Sequence, residues 1–399
     1  MRGSKEAAFK SGKASNDYVI RVFSDPAEID PAQWNALLAG QPSATPFMRH
    51  EYLLALHASA SATGATGWLP QFLAVIDGAQ IVAACPLYLK DHSYGEYVFD
   101  WAWADAYQRH GLRYYPKLLG AVPFTPVPGP RLLARDAAGR QVLLQAMQWL
   151  AREGKYSSAH LLFLDQADQQ AAREAGWMMR STVQFHWTNR EAAPYADFAD
   201  FLAGLQREKR KKIQQERRRV VDAGVTFSTA CGPEITAADW DFFYRCYRET
   251  YRAHHSTPYL TRDFFTRSAA TMADNWLLFV AWKGGVRIAA SLIAIDPGAR
   301  VAFGRYWGAV EHVPCLHFEA CYYQPLAWCI ANRYLRFEGG AQGEHKMARG
   351  LLPVQTWSAH WLAHPQFAEA IADYLEREGA GVANYIDELN ERLPFKTPA

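Results

Sequence analysis

A β-hairpin pattern occurs twice in this sequence, half a chain apart, and few folds accommodate such a repeat. The first copy has an apolar run at 71–76, a turn at Asp77-Gly78 and a second apolar run at 81–89. The second copy has runs at 277–282 and 286–295 around Gly284-Gly285. Two apolar runs around a glycine turn are typical of a hairpin. A shift of 206 residues superposes the turns in a chain of 399 residues, which predicts an internal duplication.

The segments that follow each hairpin also share one order. Each copy continues with an aromatic-rich strand, a helix with apolar residues at helical spacing and a further strand. The predicted ranges are 97–103, 140–153 and 160–164 in the first copy, and 301–307, 318–332 and 334–337 in the second. We therefore predict two α+β domains with mixed sheets. Their ranges are 18–190 and 191–399, after a polar tail at 1–17.

Composition excludes several classes of protein. Hydrophobic residues make up 50% of the chain, with 14 Trp, 20 Tyr and 21 Phe, so intrinsic disorder is excluded for most of its length. The longest apolar stretch, 276–282, is too short to cross a bilayer. The six cysteines show no C-x-x-C spacing, which predicts free thiols, a reducing compartment and no metal site. With no secretory signal in the first residues, we predict a cytoplasmic protein.

Positive charge is concentrated in one predicted helix, 196–223. Its segment 207–219 carries eight basic and two acidic residues, whereas the whole chain has a net charge of only +2. On a helical wheel Arg207, Lys211 and Arg218 lie together, opposite the apolar side chains. This distribution indicates a localised anionic partner such as a phosphate-rich molecule, and not DNA. A solvated charged face is the structural alternative.

The densest polar cluster follows the strand at 334–337. Glycines at 339, 340 and 343 allow backbone N–H groups to approach a ligand. The same segment supplies acidic, basic and amide side chains: Gln342, Glu344, His345, Lys346 and Arg349. Its spacing differs from a G-x-x-x-x-G-K-[ST] nucleotide loop. A glycine-rich surface turn is the alternative interpretation.

Two further clusters are candidate sites. Glu319 and Tyr323 are four residues apart on the predicted helix 318–332, so a carboxylate and a phenol share one face. That pair suits a general base and a general acid, although core packing explains the same spacing. His317 precedes them as a helix cap or a binding residue. In the first copy, Asp105, Tyr107 and Arg109 follow the predicted strand 97–103, at a strand end where binding residues often lie.

Three strings in the sequence resemble a known family. The basic run 209–213 with the D-A-G-V string at 222–225 is similar to an element of Fem-type transferases, which consist of two GNAT (N-acetyltransferase-like) domains. L-H-F-E-A-C-Y-Y-Q at 316–324 and G-A-Q-G-E-H-K-M-A-R-G at 340–350 resemble the FemAB-like branch of predicted N-acyltransferases. The likeness extends over 19–393 and matches the duplication.

The resemblance implies an α/β fold with two tandem GNAT domains and transfer of an acyl or aminoacyl group onto an amine. The donor is then a co-substrate, aminoacyl-tRNA or acyl-CoA, with no tightly bound cofactor. The acceptor is a small-molecule or peptide amine. The resemblance also implies that the protein is bacterial and that tRNA is among its partners. The [QR]-x-x-G-x-[GA] loop that holds coenzyme A is absent, since the nearest string, R-Y-W-G-A at 305–309, is followed by Val310. The sequence leaves the donor open.

Within this family interpretation each candidate residue receives a role. Glu319, Glu344 and His345 are the candidate bases, and Tyr323 is the candidate acid. Backbone N–H groups of 339–343 would hold the oxyanion. The remaining candidates bind substrate (Gln342, Gly343, Lys346, Arg349, Asp105, Tyr107, Arg109 and His317) or donor phosphate (Arg207, Lys211 and Arg218). The alternative function is a non-catalytic tandem-GNAT protein that binds tRNA or a cell-wall or glycan precursor.

Overall fold

Residues 5–10, 17–341 and 343–396 are described by the computed structural model, in which the chain divides into two units. Unit 1 comprises 1–182 and 356–384, and unit 2 comprises 183–355 and 385–399. The sequence places two contiguous domains on either side of residue 190. In the structure, the strand Leu352–Leu362 and the helix Pro365–Glu391 each begin in one unit and end in the other. Each unit is therefore assembled from two chain segments.

Unit 1 contains two sheets. Its strands are β1 (Lys5–Lys10), β2 (Asp17–Phe23), β3 (Leu69–Pro70), β4 (Phe72–Asp77), β5 (Gln80–Cys85), β6 (Leu87–Lys90), β7 (Lys117–Gly120), β8 (Leu133–Ala134), β9 (Ser158–Leu161), the start of β10 (Met178–Thr188) and the end of β16 (Leu352–Leu362). One sheet has the order β1-β2-β4-β5-β8, and a second run has the order β16-β9-β7-β6-β3. Only the β7–β9 pairing is parallel among these.

The helices of unit 1 pack on these sheets. They are α1 (Pro31–Ala39), α2 (His50–Ala58), α3 (Trp101–Arg109), α4 (Ala137–Glu153), α5 (Gln166–Glu174) and most of α12 (Pro365–Glu391). Helix α4 buries Val142, Leu143 and Leu150, whose spacing follows the helical period. These side chains join the strands in one apolar core. The predicted helix at 140–153 is thereby confirmed.

Unit 2 is built on one mixed sheet. Its strands are β11 (Val225–Cys231), β12 (Trp276–Lys283), β13 (Val286–Asp296), β14 (Val301–Ala309), β15 (Arg336–Ala341) and the end of β10, in the order β11-β12-β13-β14-β15-β10. Its helices are α6 (Phe198–Gly204), α7 (Arg207–Asp222), α8 (Ala237–Ala253), α9 (Arg262–Thr271), α10 (Leu316–Phe318) and α11 (Gln324–Ala331). Strands β14 and β15 are parallel, whereas the other pairs are antiparallel.

Both predicted hairpins are confirmed. Strands β4 and β5 pair across the first turn, and β12 and β13 pair across the second. Gly78, Gly284 and Gly285 have positive φ values of 60°, 56° and 78°, which side chains rarely tolerate. The glycines in both turn signals are therefore required by the backbone.

The strand predicted at 97–103 is wrong. Residues 91–100 are irregular, Tyr97 has a φ of 63°, and α3 begins at Trp101. The alternating aromatics imitate a strand, but the buried carboxylate of Asp100 holds the chain by accepting from Lys117 and Tyr114. Once α3 starts, Trp103 and Tyr107 are buried on one helix face.

Two other segments differ from the sequence predictions. The helix predicted at 196–223 is divided into α6 and α7, because Leu205 and Gln206 are extended and bond to residues 394–396. The polar tail predicted at 1–17 includes β1, which pairs in antiparallel register with β2. The rest of that tail, 1–4 and 11–16, lies outside the described residues.

Candidate active site

The candidate active site of unit 2 lies where β14 and β15 stop pairing. Their parallel ladder covers Val301–Arg336 to Phe303–Glu338, although both strands continue. On the other side of β14 the register shifts, because Ile293 pairs with Gly304 and Leu292 with Tyr306. Arg305 is thus the extra residue of a β-bulge, a feature that ends pairing and often lies beside an active site.

A cleft of about 130 Å³ occupies this position. It is lined by β13, β14, β15 and the helical segment above them: Ser291, Ile293, Gly304, Arg305, Tyr306, Trp307, His317, Cys321, Tyr322, Phe337 and Gly339. At about 30 Å³ per water molecule, the space holds about four waters or one small acyl group. The residues that line the cleft therefore include both polar and aromatic side chains.

The helical segment over the cleft contains one wide turn. Glu319–Tyr323 form a π-helical turn between α10 and α11. Pro325 lacks the N–H that an α-helix would direct at Cys321, and a wider turn accommodates that loss. Such turns are frequent at functional sites. The segment presents His317, Cys321 and Tyr322 to the cleft.

Tyr322 and His345 form a hydrogen-bonded pair. The Tyr322 hydroxyl lies 3.1 Å from Nε2 of His345. Burial raises the pKa of Tyr322 well above its ordinary value, so the phenol keeps its proton. Burial, Arg349 and Lys346 lower the pKa of His345, so its imidazole is neutral at neutral pH. Tyr322 can then donate to Nε2, and the pair can relay a proton.

His317 is a second neutral imidazole at the cleft. Its ring lies 5.4 Å from that of Trp307 and 5.7 Å from that of Tyr322. Burial, followed by the nearby His345, lowers the pKa of His317 to about 4. The predicted binding residue thus lines the cleft as an uncharged ring, and it does not carry positive charge at neutral pH.

Glu319 faces the opposite direction, toward α7. The guanidinium of Arg217 donates to its carboxylate at 3.1–3.2 Å, and Gln324 donates at 2.7 Å. The three side chains border a separate groove of about 700 Å³. The carboxylate predicted as a base is therefore engaged in an ion pair.

Tyr323 also faces α7. Its hydroxyl donates to the carboxylate of Glu216, which receives two further bonds from Arg349 at 2.9 and 3.0 Å. All three side chains are buried. Arg349 additionally donates to the carbonyl of His345 and covers the ring of Phe318 at 3.5 Å. These contacts join α7, the π turn and the segment after β15.

That segment, Glu344–Arg349, is a short 3-10 helix after a glycine turn. Gly343 has a φ of 110°, and a side chain there would meet the His345 ring at 2.7 Å. Nζ of the buried Lys346 donates to the carbonyls of Gly340 and Ala341 at 3.1 Å, and burial lowers its pKa to about 8. Glu344 is exposed and accepts from Tyr385. The predicted binding residue Gln342 lies outside the described residues.

The other predicted binding residues lie elsewhere. Asp105 and Arg109 form an exposed ion pair on α3 of unit 1, and Tyr107 belongs to an apolar cluster there. Arg207, Lys211 and Arg218 are exposed on α7 of unit 2. Among the described residues no three potential ligands of the His, Cys, Asp or Glu type come together to hold a metal ion.

Sequence reasoning missed Tyr322 and Glu216. Tyr322 carries the same helical spacing as core positions, and nothing local distinguishes it from Tyr323. Glu216 did leave a signal, because it falls between Ile213 and Val220 on the buried side of α7. A carboxylate on the apolar side of a basic helix indicates a buried partner.

Comparison with known proteins agrees with this architecture. The model of a FemAB-like family, described by peptidoglycan biosynthesis and recognition, matches residues 25–397. Curated protein sequences give no match.

Among the helices that the structure describes, none combines the length and apolar character required to cross a membrane.

Several solved structures are similar to this chain at low sequence identity. L-PGS from Bacillus licheniformis is 11% identical, with a TM-score of 0.52 over 87% of this chain and 97% of that one. FemX is 9% identical, with a TM-score of 0.51 over 86% and 98%. A tandem GNAT protein from the clavulanic acid biosynthesis pathway has 13% identity and a TM-score of 0.46 over 87% and 99%.

The predicted fold class and family are confirmed by the family match across most of the chain and by the α/β architecture that L-PGS and FemX share. The chain belongs to the FemAB-like family and is an acyltransferase of tandem GNAT-like fold.

Proposed function

We propose that this acyltransferase moves an acyl or aminoacyl group directly from an activated donor to an amine, in the cleft where β14 and β15 separate. The donor is aminoacyl-tRNA or acyl-CoA, and the acceptor is a small-molecule or peptide amine. The observation that carries this proposal is the Tyr322–His345 hydrogen bond at 3.1 Å beside a cleft of about 130 Å³. The proposal includes a cytoplasmic reaction, since both proposed donors are cytoplasmic molecules.

The geometry supports proton transfer through Tyr322 to His345. The attacking amine forms a bond to the donor carbonyl carbon and loses a proton to the Tyr322 oxygen as that phenol gives its own proton to Nε2. The ester or thioester bond of the donor then breaks, and the proton returns from His345 through Tyr322 to the leaving oxygen or sulfur. Tyr322 stays neutral throughout, which its raised pKa favours.

The remaining candidates take supporting roles in this proposal. The Glu319 carboxylate is engaged by Arg217 and Gln324, which disfavours it as the base. Lys346 holds the end of β15 beside the cleft, where backbone N–H groups would stabilise the oxyanion. Exposed Arg207, Lys211 and Arg218 on α7 would bind donor phosphates, and His317 would contact the acyl group.

Transfer with labelled donors tests the proposal. The protein is incubated with ¹⁴C-aminoacyl-tRNA or ¹⁴C-acyl-CoA and a panel of lysine-containing peptides and small amines, and label on the amine is measured. We expect Tyr322→Phe and His345→Gln each to lower kcat/KM about 100-fold, the usual scale of acid–base catalysis. Tyr334→Phe is the matched control, since it removes a phenol of unit 2 outside the cleft residues.

The outcomes separate the alternatives. Wild-type rates in Tyr322→Phe and His345→Gln would contradict the proton relay. Loss of activity in Glu319→Gln or Glu344→Gln alone would instead move the base to that carboxylate. If wild type binds tRNA but transfers label from neither donor to any amine, the non-catalytic binding function is favoured.

A further inference from the structure

We infer that Glu216 is a positioning residue that aligns the Tyr322–His345 pair by binding both elements that carry it. This inference rests on the proposed function of that pair. Glu216 lies on the basic helix α7, Tyr322 on the π turn and His345 on the 3-10 helix after β15. The three elements meet at one buried carboxylate.

The first link runs from Glu216 to the π turn. Oε2 of Glu216 accepts from the Tyr323 hydroxyl, and Tyr323 is the immediate neighbour of Tyr322. Tyr323 is 0% exposed, so its ring has no freedom to turn toward solvent. The bond therefore fixes the rotation of the π turn, and with it the direction in which Tyr322 points.

The second link runs from Glu216 to His345. Nη2 of Arg349 donates to both carboxylate oxygens, and Nη1 donates to the His345 carbonyl at 2.7 Å. The guanidinium also lies 3.5 Å from the Phe318 ring centroid. Because Arg349 is held by Glu216, the backbone of His345 has a fixed place relative to α7.

Burial makes this arrangement specific. The side chains of Glu216 and Arg349 are only 8% and 4% exposed, in a basic helix whose other buried side chains are Ile213 and Val220. A charge in that position needs compensation, and Arg349 with Tyr323 supplies it. Arg349 lowers the pKa of the nearby His345, and the Glu216 carboxylate, 2.9 Å from that guanidinium, opposes its positive charge.

The test measures pH profiles of transfer for Glu216→Gln, Glu216→Asp and Tyr323→Phe. In Glu216→Gln we expect kcat to fall at least tenfold while the donor KM changes less than threefold. The acid limb of kcat/KM should also move to lower pH, because uncompensated Arg349 disfavours protonated His345. Glu216→Asp should keep the acid limb of the wild type, and its kcat should be higher than that of Glu216→Gln. Tyr323→Phe should lower kcat about threefold without moving the limb.

Glu208→Gln is the matched control, because it makes the same change at an exposed position of α7. Circular dichroism and thermal melting confirm folding of each variant. If Glu216→Gln does not fold, Glu216→Asp and Tyr323→Phe provide the test. A wild-type kcat in both of these variants would then contradict the inference. The inference is also contradicted if folded Glu216→Gln keeps the wild-type kcat and the wild-type acid limb of kcat/KM while Tyr322→Phe has lost activity. Full activity of Tyr322→Phe would instead contradict the proton relay of the proposed function, on which this inference rests.

Discussion

Single side chains show how this fold tolerates buried charge. In unit 1 the ammonium of Lys117 is 0% exposed and donates to Ser93, Glu96 and Asp100. Burial raises the pKa of Glu96 to about 7, whereas the charge of Lys117 overcomes burial and holds the pKa of Asp100 below its ordinary value. Two carboxylates thus share one cation, and removal of that cation would leave both uncompensated.

We therefore expect Lys117→Met to lower the free energy of unfolding by about 3–5 kcal/mol, the usual scale for breaking a buried ion pair. Urea titration followed by tryptophan fluorescence measures the change. Lys283→Met is the matched control, since Lys283 is 41% exposed in an ion pair with Glu311 and should contribute at most about 1 kcal/mol. Equal effects of the two substitutions would contradict the importance of burial.

A cross-strand histidine pair predicts acid sensitivity. Nδ1 of His160 lies 2.7 Å from Nδ1 of His360, and the two side chains bond to Ser158 and Ser358. Burial lowers the pKa of His160 to about 3 and that of His360 well below its ordinary value. The unfolded chain, with an ordinary histidine pKa of about 6.5, therefore binds more protons between those limits.

Because the unfolded state takes up these protons, stability is full above pH 6.5 and falls as the pH is lowered toward 3. Each neutral imidazole contributes a slope of about 1.4 kcal/mol per pH unit in that window. We expect His360→Gln to reduce the slope of unfolding free energy against pH by about that amount between pH 6 and 4. His110→Gln, at an exposed position, should leave the slope unchanged. An unaltered slope in His360→Gln would show that the pair is not held neutral.

The sequence predicts well those strands and helices whose residues follow a simple local pattern. The hairpins β4–β5 and β12–β13 combine apolar runs with glycine turns, and α4 has a clear helical period. The strand predicted at 97–103 fails because Asp100 is drawn into a distant ion cluster, which no local pattern records. The helix predicted at 196–223 is interrupted between α6 and α7, because residues 394–396 bond beside Gln206.

The sequence predicted which chain segments form the candidate site, but not the contacts between them. The strings around Glu319 and His345 do lie together, as the Tyr322–His345 bond shows. Glu319 and Tyr323 both face α7, as their spacing on a helical wheel predicts, whereas the π turn itself was not visible in the sequence. Neighbouring residues of any helix point in different directions, and here Tyr322 faces the cleft whereas Tyr323 faces α7.

Helix α8 packs closely against strand β14. A Cβ atom on Gly308 would overlap the carbonyl of Cys246 on α8. Gly308→Ala must displace the helix or the strand that lines the cleft, so we expect a loss of about 1–3 kcal/mol in thermal or urea unfolding. Gly298→Ala is the control, because its Cβ would lie 3.4 Å from the nearest heavy atom. Equal stability of both variants would contradict this packing.

The exposed cations of α7 predict how donor binding depends on salt. We expect replacement of Arg207, Lys211 and Arg218 by Gln to raise the donor KM at least tenfold, with little change in kcat. If the donor is aminoacyl-tRNA, log affinity should depend less steeply on log salt. The magnitude of that negative slope should decrease by about 2, the value for three lost single-strand phosphate contacts. The control removes three exposed arginines elsewhere in unit 2, Arg252, Arg300 and Arg333. Equal KM values for the two triple variants would exclude α7 from donor binding.

Across the whole molecule, neither unit is a single continuous stretch of the chain. Unit 1 takes residues 356–384 from the far end of the sequence, and these supply Leu362, Ile371 and Leu375 to a cluster with Trp103 and Tyr107. Sequence periodicity records each helix and strand but not which unit receives it. The boundary predicted near residue 190 consequently follows the order of the chain, whereas the cores follow long-range packing.

This organisation makes opposite predictions for two fragments. The contiguous fragment 18–190 lacks the partners of Trp103 and Tyr107, so we expect it to aggregate or to unfold without a cooperative transition. A rearranged chain that joins 17–182 to 356–384 should fold as unit 1. The connection is short, because Oγ1 of Thr182 and Oγ1 of Thr356 on the neighbouring strands β10 and β16 are 2.8 Å apart. The Ser358 hydroxyl also donates to the carbonyl of Arg180. A two-residue Asn-Gly turn suits that junction.

Circular dichroism and urea unfolding of the two fragments measure the difference. The rearranged chain should show a single cooperative transition and the acid sensitivity of the His160–His360 pair, since it retains both histidines. Adding His360→Gln to that chain should remove part of the sensitivity, as in the full protein. Cooperative unfolding of 18–190 at the same urea midpoint would show that 356–384 are dispensable for unit 1. The core of unit 1 would then be encoded in the first half of the sequence alone.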